Sequence, residues 1–293
     1  MKTHLKNTFY IVLLLLFFFM LVSLWGFFSA IYPVKLISAY TPKHFGVAYE
    51  EVSFRTEDNV LLRGWFISSP HPQAKTIILL HGYGADKGNI LPSRLFLYPE
   101  YNLLFFDFRY FGESKGDYST AGLDEVKDLR AAIQYLHSRG IHEVGVWGIS
   151  MGGAVALMAA VQMQEIKAVI AESSYARLDL VANQYYQIPL LRYPIGMLMR
   201  FWAYVILGQD AKSVSPMDDA AQLTIPVLLI HSRNDYLIPF KHAELLQEAL
   251  KNNPHAEFLH FETSPHGGRE EGYETRIKQF LKKSLGQTGP KAL

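Results

Sequence analysis

The 293-residue chain balances 28 Lys and Arg against 27 Asp and Glu and contains no Cys. Near-neutral charge without a basic stripe or acidic tail argues against nucleic acid as a partner. The missing thiol excludes cysteine nucleophiles, Cys-ligated zinc and disulfide frameworks, so a core of this size must hold by packing alone.

No charged residue lies between Asn7 and Val34, and "FYIVLLLLFFFMLVSLWGFF" (Phe9 to Phe28) supplies the roughly twenty apolar residues that cross a hydrocarbon core. A transmembrane anchor is expected over residues 8–31. A cleaved secretory signal is the competing reading, but its apolar region is shorter, and no small-x-small cleavage site follows Phe28. Lys2, Lys6 and the terminal amine precede the span, whereas Lys35 and Lys43 follow it. That count predicts a single-pass membrane protein with a cytoplasmic N-terminus and the globular domain outside. Residues 32–48, with Pro33 and Pro42, read as a linker.

Alternation in "YEEVSFRT" and "NVLLRGWFIS" predicts an antiparallel strand pair. From Lys75 the character changes. "TIILLHG", "NLLFFDF", "EVGVWG", "KAVIAES" and "PVLLIHS" are short apolar runs, the pattern of parallel strands covered on both faces. Helical spacing intervenes, with Val126, Leu129, Ile133 and Leu136 on one face before Gly140. Further helices are expected over Phe240 to Asn252 and over a final segment carrying Tyr273, Ile277, Phe280 and Leu281. The alternation of strands and helices predicts an α/β fold: a mostly parallel, doubly wound sheet with helices on both faces. Residues 49–285 would form this domain, and 286–293 a flexible tail.

"WGISMGG" carries a G-x-S-x-G pattern, which arises by chance in roughly one chain in ten of this length. The flanks give it meaning. "EVGVWG" enters Ser150 as a strand and "MGGAVALMAAVQ" leaves it as a helix, the setting of a nucleophile elbow, with Gly148 and Gly152 relieving the crowding at a sharp turn. A serine nucleophile needs a base, and the base an orienting acid; in this fold both follow later strands. Asp235, in the loop after "IPVLLIHS", and His266, in "ETSPHGG", fit. His231 reads as a packed strand-end residue, His255 and His260 belong to the last strand, and His242 falls on a helix face expected to be solvated. Asp210, Asp218 and Asp219 precede the strand and read as caps or surface charges. The Tyr83 and Met151 amides are the candidate oxyanion donors, and His81 reads as a structural residue of the loop "LLHGYGADKGN". No H-E-x-x-H or P-loop pattern appears, so no metal or organic cofactor is expected.

"HGYG", "DFRYFGES", "GISMGG", "SRNDYLIP" and "SPHGG", in this order, resemble the α/β-hydrolase superfamily, especially its membrane-anchored lysophospholipase-like and serine-aminopeptidase-like branch. The resemblance covers about Tyr49 to Leu285. It implies Ser150 as nucleophile, Asp235 as orienting acid and His266 as base, with Asp107 and Arg109 in a structural loop. Tyr110, Ser232 and Pro265 stand where the family commonly has glycine. The aromatic, apolar segment "YYQIPLLRYPIGMLMRFWAYVILG" lies where the superfamily inserts a cap, here about residues 175–216, and Arg192 and Arg200 within it are candidate anion-steering cations. The implied activity is hydrolysis of an acyl ester, including lysophospholipid-like lipids, drawn from the membrane to which the anchor holds the enzyme. A peptidase using the same triad, or a non-catalytic binding module on the same fold, are the alternatives.

Overall fold

Apolar runs too short for helices and rich in Val, Ile and Phe pair into a sheet because only pairing satisfies their buried amides and carbonyls. In a computed structural model describing residues 2–185 and 192–286, these runs are β1 (Glu50–Arg55), β2 (Leu61–Ile67), β3 (Thr76–Leu80), β4 (Asn102–Phe106), β5 (Val144–Ile149), β6 (Ile166–Glu172), β7 (Val227–Ser232) and β8 (Ala256–Phe261). Among the described residues they form one sheet in the order β1-β2-β4-β3-β5-β6-β7-β8. The β1–β2 and β2–β4 pairings are antiparallel and the rest parallel. β3 is buried at every position, whereas the edge strand β1 buries only Val52 and Phe54. The continuous and alternating apolar patterns had distinguished these two environments.

The helices are α1 (Lys2–Ile31), α2 (Lys87–Arg94), α3 (Glu125–Ser138), α4 (Met151–Gln162), α5 (Leu178–Tyr185), α6 (Arg192–Leu207), α7 (Pro216–Ala220), α8 (Lys241–Ala249) and α9 (Tyr273–Leu285). Small residues let α4 lie close to the sheet, and it is buried from Met151 through Ala159. α3 buries Val126, Leu129, Ile133 and Leu136, and α9 buries Tyr273, Ile277, Phe280 and Leu281.

The chain divides into two units. One comprises Met1–Pro33 and Arg177–Val214, so the apolar N-terminal helix groups with α5 and α6; the other comprises Val34–Ala176 and Ser215–Leu293 and contains the sheet. Residues 186–191 of the insertion, the side chain of Arg192 and the tail from 287 onward lie outside the described residues.

Two local features differ from the sequence reading. α2 contains Gly88 and Pro92 and carries weak helical propensity; it is nucleated by Asp86, whose carboxylate accepts the Asn89 amide at 2.8 Å while the Asn89 side chain accepts the Asp86 amide at 2.9 Å. His242, expected in solvent, is buried, and its Nδ1 accepts the Ala176 N–H at 3.0 Å. It shares the inward face of α8 with Leu246, four residues on.

Candidate active site

Ser150 sits between β5 and α4 at φ 54°, ψ −118°, a conformation costing a non-glycine residue about 1–3 kcal/mol. Its surroundings enforce that turn. The Ser150 N–H donates to the Glu172 carbonyl at 2.8 Å, and the Ser150 carbonyl accepts the Ala154 N–H at 3.1 Å. A Cβ on Gly152 would come within 2.6 Å of the His81 carbonyl oxygen, and one on Gly148 would overlap the Gly152 backbone. Gly148→Ala is therefore expected to destabilise the domain by about 1–3 kcal/mol and to displace Ser150. A thermal melt unchanged from wild type would contradict this packing argument.

Several loops converge on the serine at the carboxyl ends of the strands. A Cβ placed on Gly82 would lie 3.2 Å from Ser150 Cβ and 3.9 Å from its Oγ, so the loop carrying Tyr83 runs beside the hydroxyl. Met151 opens α4, where an amide has no intrahelical acceptor. Gly267, at φ 65°, packs against Ile149, where any Cβ would meet Ile149 Cδ1 at 2.6 Å. The Gly267 N–H donates to Ser173 Oγ at 3.2 Å. Ser150 Oγ itself makes no hydrogen bond among the described residues; the structure brings Asp235 and His266 together and records no contact of either with the serine hydroxyl.

The imidazole and carboxylate meet directly. His266 Nδ1 lies 2.7 Å from Asp235 Oδ2, and Asp235 Oδ1 accepts the Leu237 and Ile238 amides at 3.0 and 2.8 Å. Burial opposes charge on Asp235, yet the His266 hydrogen bond and the Ile238 amide outweigh it and hold the carboxyl below its ordinary range. The rival His231 stands 3.6 Å from Asp235, but its Nε2 is committed to the Ile238 carbonyl at 2.7 Å. Burial pushes its pKa down, against the pull of that carbonyl and of Asp235. His81 is engaged at both nitrogens: Nε2 accepts the Phe108 N–H at 3.0 Å, which leaves Nδ1–H to donate to the Gly82 carbonyl at 2.7 Å. It is buried and held neutral by desolvation, consistent with a part in shaping the loop.

The departures from family glycines are each accommodated. Tyr110 adopts φ 70°, the backbone a glycine there would take, and its ring receives Lys35 Nζ at 4.5 Å. Ser232 Oγ donates to the Ser264 carbonyl at 2.5 Å, tying the loop of Asp235 to that of His266. Pro265 does not prevent His266 from reaching Asp235; the following turn closes through the Gly268 N–H on the Pro265 carbonyl at 2.8 Å. Asp107 accepts the Lys87 and Glu113 amides and pairs with Lys87 Nζ at 2.7 Å, while Arg109 bridges Asp128 and Asp58. Both serve the loop framework.

The loop bearing His266 has a further support. Glu270 Oε1 accepts the amides of Glu262, Thr263 and Ser264 at 3.1, 2.8 and 2.9 Å. The Thr263 and Ser264 amides, above all, lower its pKa from 4.5 to about 2. A depressed folded-state pKa contributes stability that is complete above the free-chain value and is withdrawn as the pH falls toward the folded one. Hydrogen exchange at residues 262–264 should accelerate, beyond the intrinsic rate change, between pH 4.5 and about 2. In Glu270→Gln that pH-dependent component should vanish; a wild-type-like profile would contradict the assignment.

Sequence reasoning missed a buried brace beneath the elbow. Glu172 Oε2 accepts Arg94 Nη2 at 2.6 Å, the Tyr273 hydroxyl at 2.8 Å and Trp147 Nε1 at 3.2 Å. The Arg94 guanidinium also stacks 3.9 Å from the Trp147 ring centroid. One carboxylate thereby joins α2, β5, β6 and α9, the elements flanking the Tyr83, Ser150 and His266 loops. A charged residue ending the apolar run "KAVIAES" was the available signal. Among the described residues no group of three or more His, Asp or Glu is arranged to hold a metal.

A model of the prolyl oligopeptidase family matches residues 114–288. The YfhR protein of Escherichia coli strain K12 is 34% identical over 218 residues, 69% of this chain and 68% of its own. The α/β-hydrolase domain-containing protein WAV2 of Arabidopsis thaliana is 27% identical over 270 residues, 83% of this chain and 82% of its own. Among solved structures, the Pyrococcus furiosus esterase Pf2001 superposes with a TM-score of 0.73 at 28% identity, covering 89% of this chain and 99% of the esterase. With a family model spanning more than half its length, this chain belongs to the prolyl oligopeptidase family, within the α/β-hydrolase superfamily.

Proposed function

We propose that the chain is a membrane-anchored serine hydrolase that cleaves carboxylic esters. The observation that carries this reading is the 2.7 Å contact of His266 with an ionised, buried Asp235, in a domain whose strained Ser150 lies at the same carboxyl-terminal edge of the sheet, after β5. In the proposed reaction His266 Nε2 takes the Ser150 proton as Oγ attacks the carbonyl carbon. The Tyr83 and Met151 amides hold the oxyanion, and Asp235 stabilises the imidazolium without itself taking a proton. Collapse of the tetrahedral intermediate returns the proton to the departing alcohol. Water then repeats the sequence on the acyl-enzyme and releases the acid.

Ester rather than amide chemistry is favoured by the solved esterase neighbour and by the apolar helix Thr3–Ile31, long enough to hold the domain at a bilayer where lysophospholipid-like acyl esters reside. In this reading the N-terminus is cytoplasmic and the hydrolase unit lies outside. The family model supports a peptidase as the second reading. Purified full-length protein, assayed against acyl esters of graded chain length, lysophospholipids, and aminoacyl and prolyl amides, separates the two. The expected result is ester turnover absent in Ser150→Ala; cleavage of peptides with no ester turnover at any chain length would overturn the ester assignment.

A further inference from the structure

Helix α6 keeps an apolar face open to the outside. Its turns bring Tyr193, Met197, Phe201, Tyr204 and Val205 onto one arc, and each is more than half exposed in the complete chain. No charged residue falls within the arc. Arg200 borders it and directs its guanidinium to Asp210, 3.6 Å away beyond the end of the helix, as a long cation does when its head leaves an apolar layer. The opposite side buries Ile195 and Met199. Five large apolar or aromatic side chains in a row make a patch that calls for a covering phase.

Four observations identify that phase. Trp202 Nε1 donates to Ser23 Oγ of α1 at 3.0 Å, so α6 lies at the level of Ser23 on the helix that carries the apolar run. Ser23 precedes Phe28, the end of that run, by five residues, about 8 Å along a helix. That is the depth to which interfacial helices bury their apolar faces. The 16 residues of α6 extend about 24 Å, too short to cross a core that needs about twenty residues. Its Tyr193, Trp202 and Tyr204 are the aromatic types concentrated at the boundary of the hydrocarbon. The Trp202–Ser23 bond also satisfies two polar groups without water, as a hydrocarbon surrounding requires.

We propose that α6 is an interfacial membrane helix, lying in the same leaflet as the C-terminal half of α1 with Tyr193, Met197, Phe201, Tyr204 and Val205 against acyl chains. The proposal rests on the membrane reading of α1 above. It adds a second lipid contact, contributed by the insertion within the hydrolase sequence and independent of the anchor's own span.

The absence of native cysteine allows single-site labelling of the full-length protein. Leu14→Cys, Met197→Cys, Phe201→Cys and Gln247→Cys variants with wild-type circular dichroism would carry a bimane fluorophore in phosphatidylcholine vesicles, with brominated phosphatidylcholine and aqueous iodide as quenchers. Leu14 reports the anchor, and exposed Gln247 of α8 reports water. The expected result is brominated-lipid quenching at 197 and 201 within about twofold of that at 14, with iodide acting chiefly at 247. Lipid quenching at 14 with iodide quenching at 197 and 201 would overturn the proposal and leave the anchor standing. No lipid quenching at 14 would overturn the anchor and this proposal with it. Protection of 197 and 201 from both quenchers, with disulfide-linked dimers on oxidation of the unlabelled cysteine variants, would assign the face to a second copy and likewise overturn it.

Discussion

Asp235→Asn should lower kcat by about 10⁴ while leaving KM and the melting temperature near their wild-type values. The size of the effect follows from which oxygen does what. Oδ1 accepts two backbone amides, from Leu237 and Ile238, and Oδ2 faces His266 Nδ1. An asparagine must keep its oxygen toward the two amides, which turns its NH₂ toward the imidazole. Nδ1 then becomes the acceptor, Nε2 carries the proton, and the ring can no longer receive one from Ser150. The geometry of the loop would survive, and with it substrate binding. Steady-state kinetics on an acyl ester, paired with a thermal melt, test the point; a loss of less than tenfold would remove Asp235 from the proposed relay.

Glu172→Ala should cost about 3–5 kcal/mol of stability, because it leaves Arg94 buried without its partner. Both side chains are almost fully buried and meet at 2.6 Å. Removing both charges is a different experiment. Arg94→Met combined with Glu172→Leu should recover much of the loss, since a well-packed apolar pair avoids the desolvation that an unpaired charge suffers. The same comparison bears on catalysis. Glu172→Gln keeps the shape of the brace and the carbonyl that receives the Ser150 amide, and is expected to reduce kcat more than it raises KM through looser alignment of three loops. Chemical denaturation of wild type, Arg94→Met, Glu172→Leu and the double variant measures the coupling. Additive losses in the double variant would show that the carboxylate and guanidinium act independently, contrary to the contacts between them.

The legible part of this protein was the part written in periodicity. Apolar runs such as "TIILL" declared buried parallel strands, and the alternation around Val52 and Phe54 declared an antiparallel pair. The loops after β7 and β8 marked Asp235 and His266, which the structure brings to 2.7 Å of each other, whereas Ser150, after β5, makes no recorded contact with either. Features that depend on a single cap or on a partner distant in sequence were not legible. α2 forms through the Asp86–Asn89 exchange in spite of Gly88 and Pro92. His242 disappears into the interior because its helix turns that face inward. Arg94 and Glu172 are 78 residues apart, and neither position alone announces the other. Pro265 and Tyr110 looked anomalous against family glycines; one is absorbed by the Gly267–Gly268 turn, and the other simply adopts the left-handed backbone.

The proposed role of Ser150 as an activated nucleophile has a direct test. Full-length protein in detergent, treated with a fluorophosphonate and digested for mass spectrometry, should carry the phosphonyl group on Ser150 alone, lose it in Ser150→Ala, and acquire it far more slowly in His266→Ala. Folded wild-type protein that takes up no label, or labels with equal efficiency at another residue when Ser150 is replaced, would contradict the account.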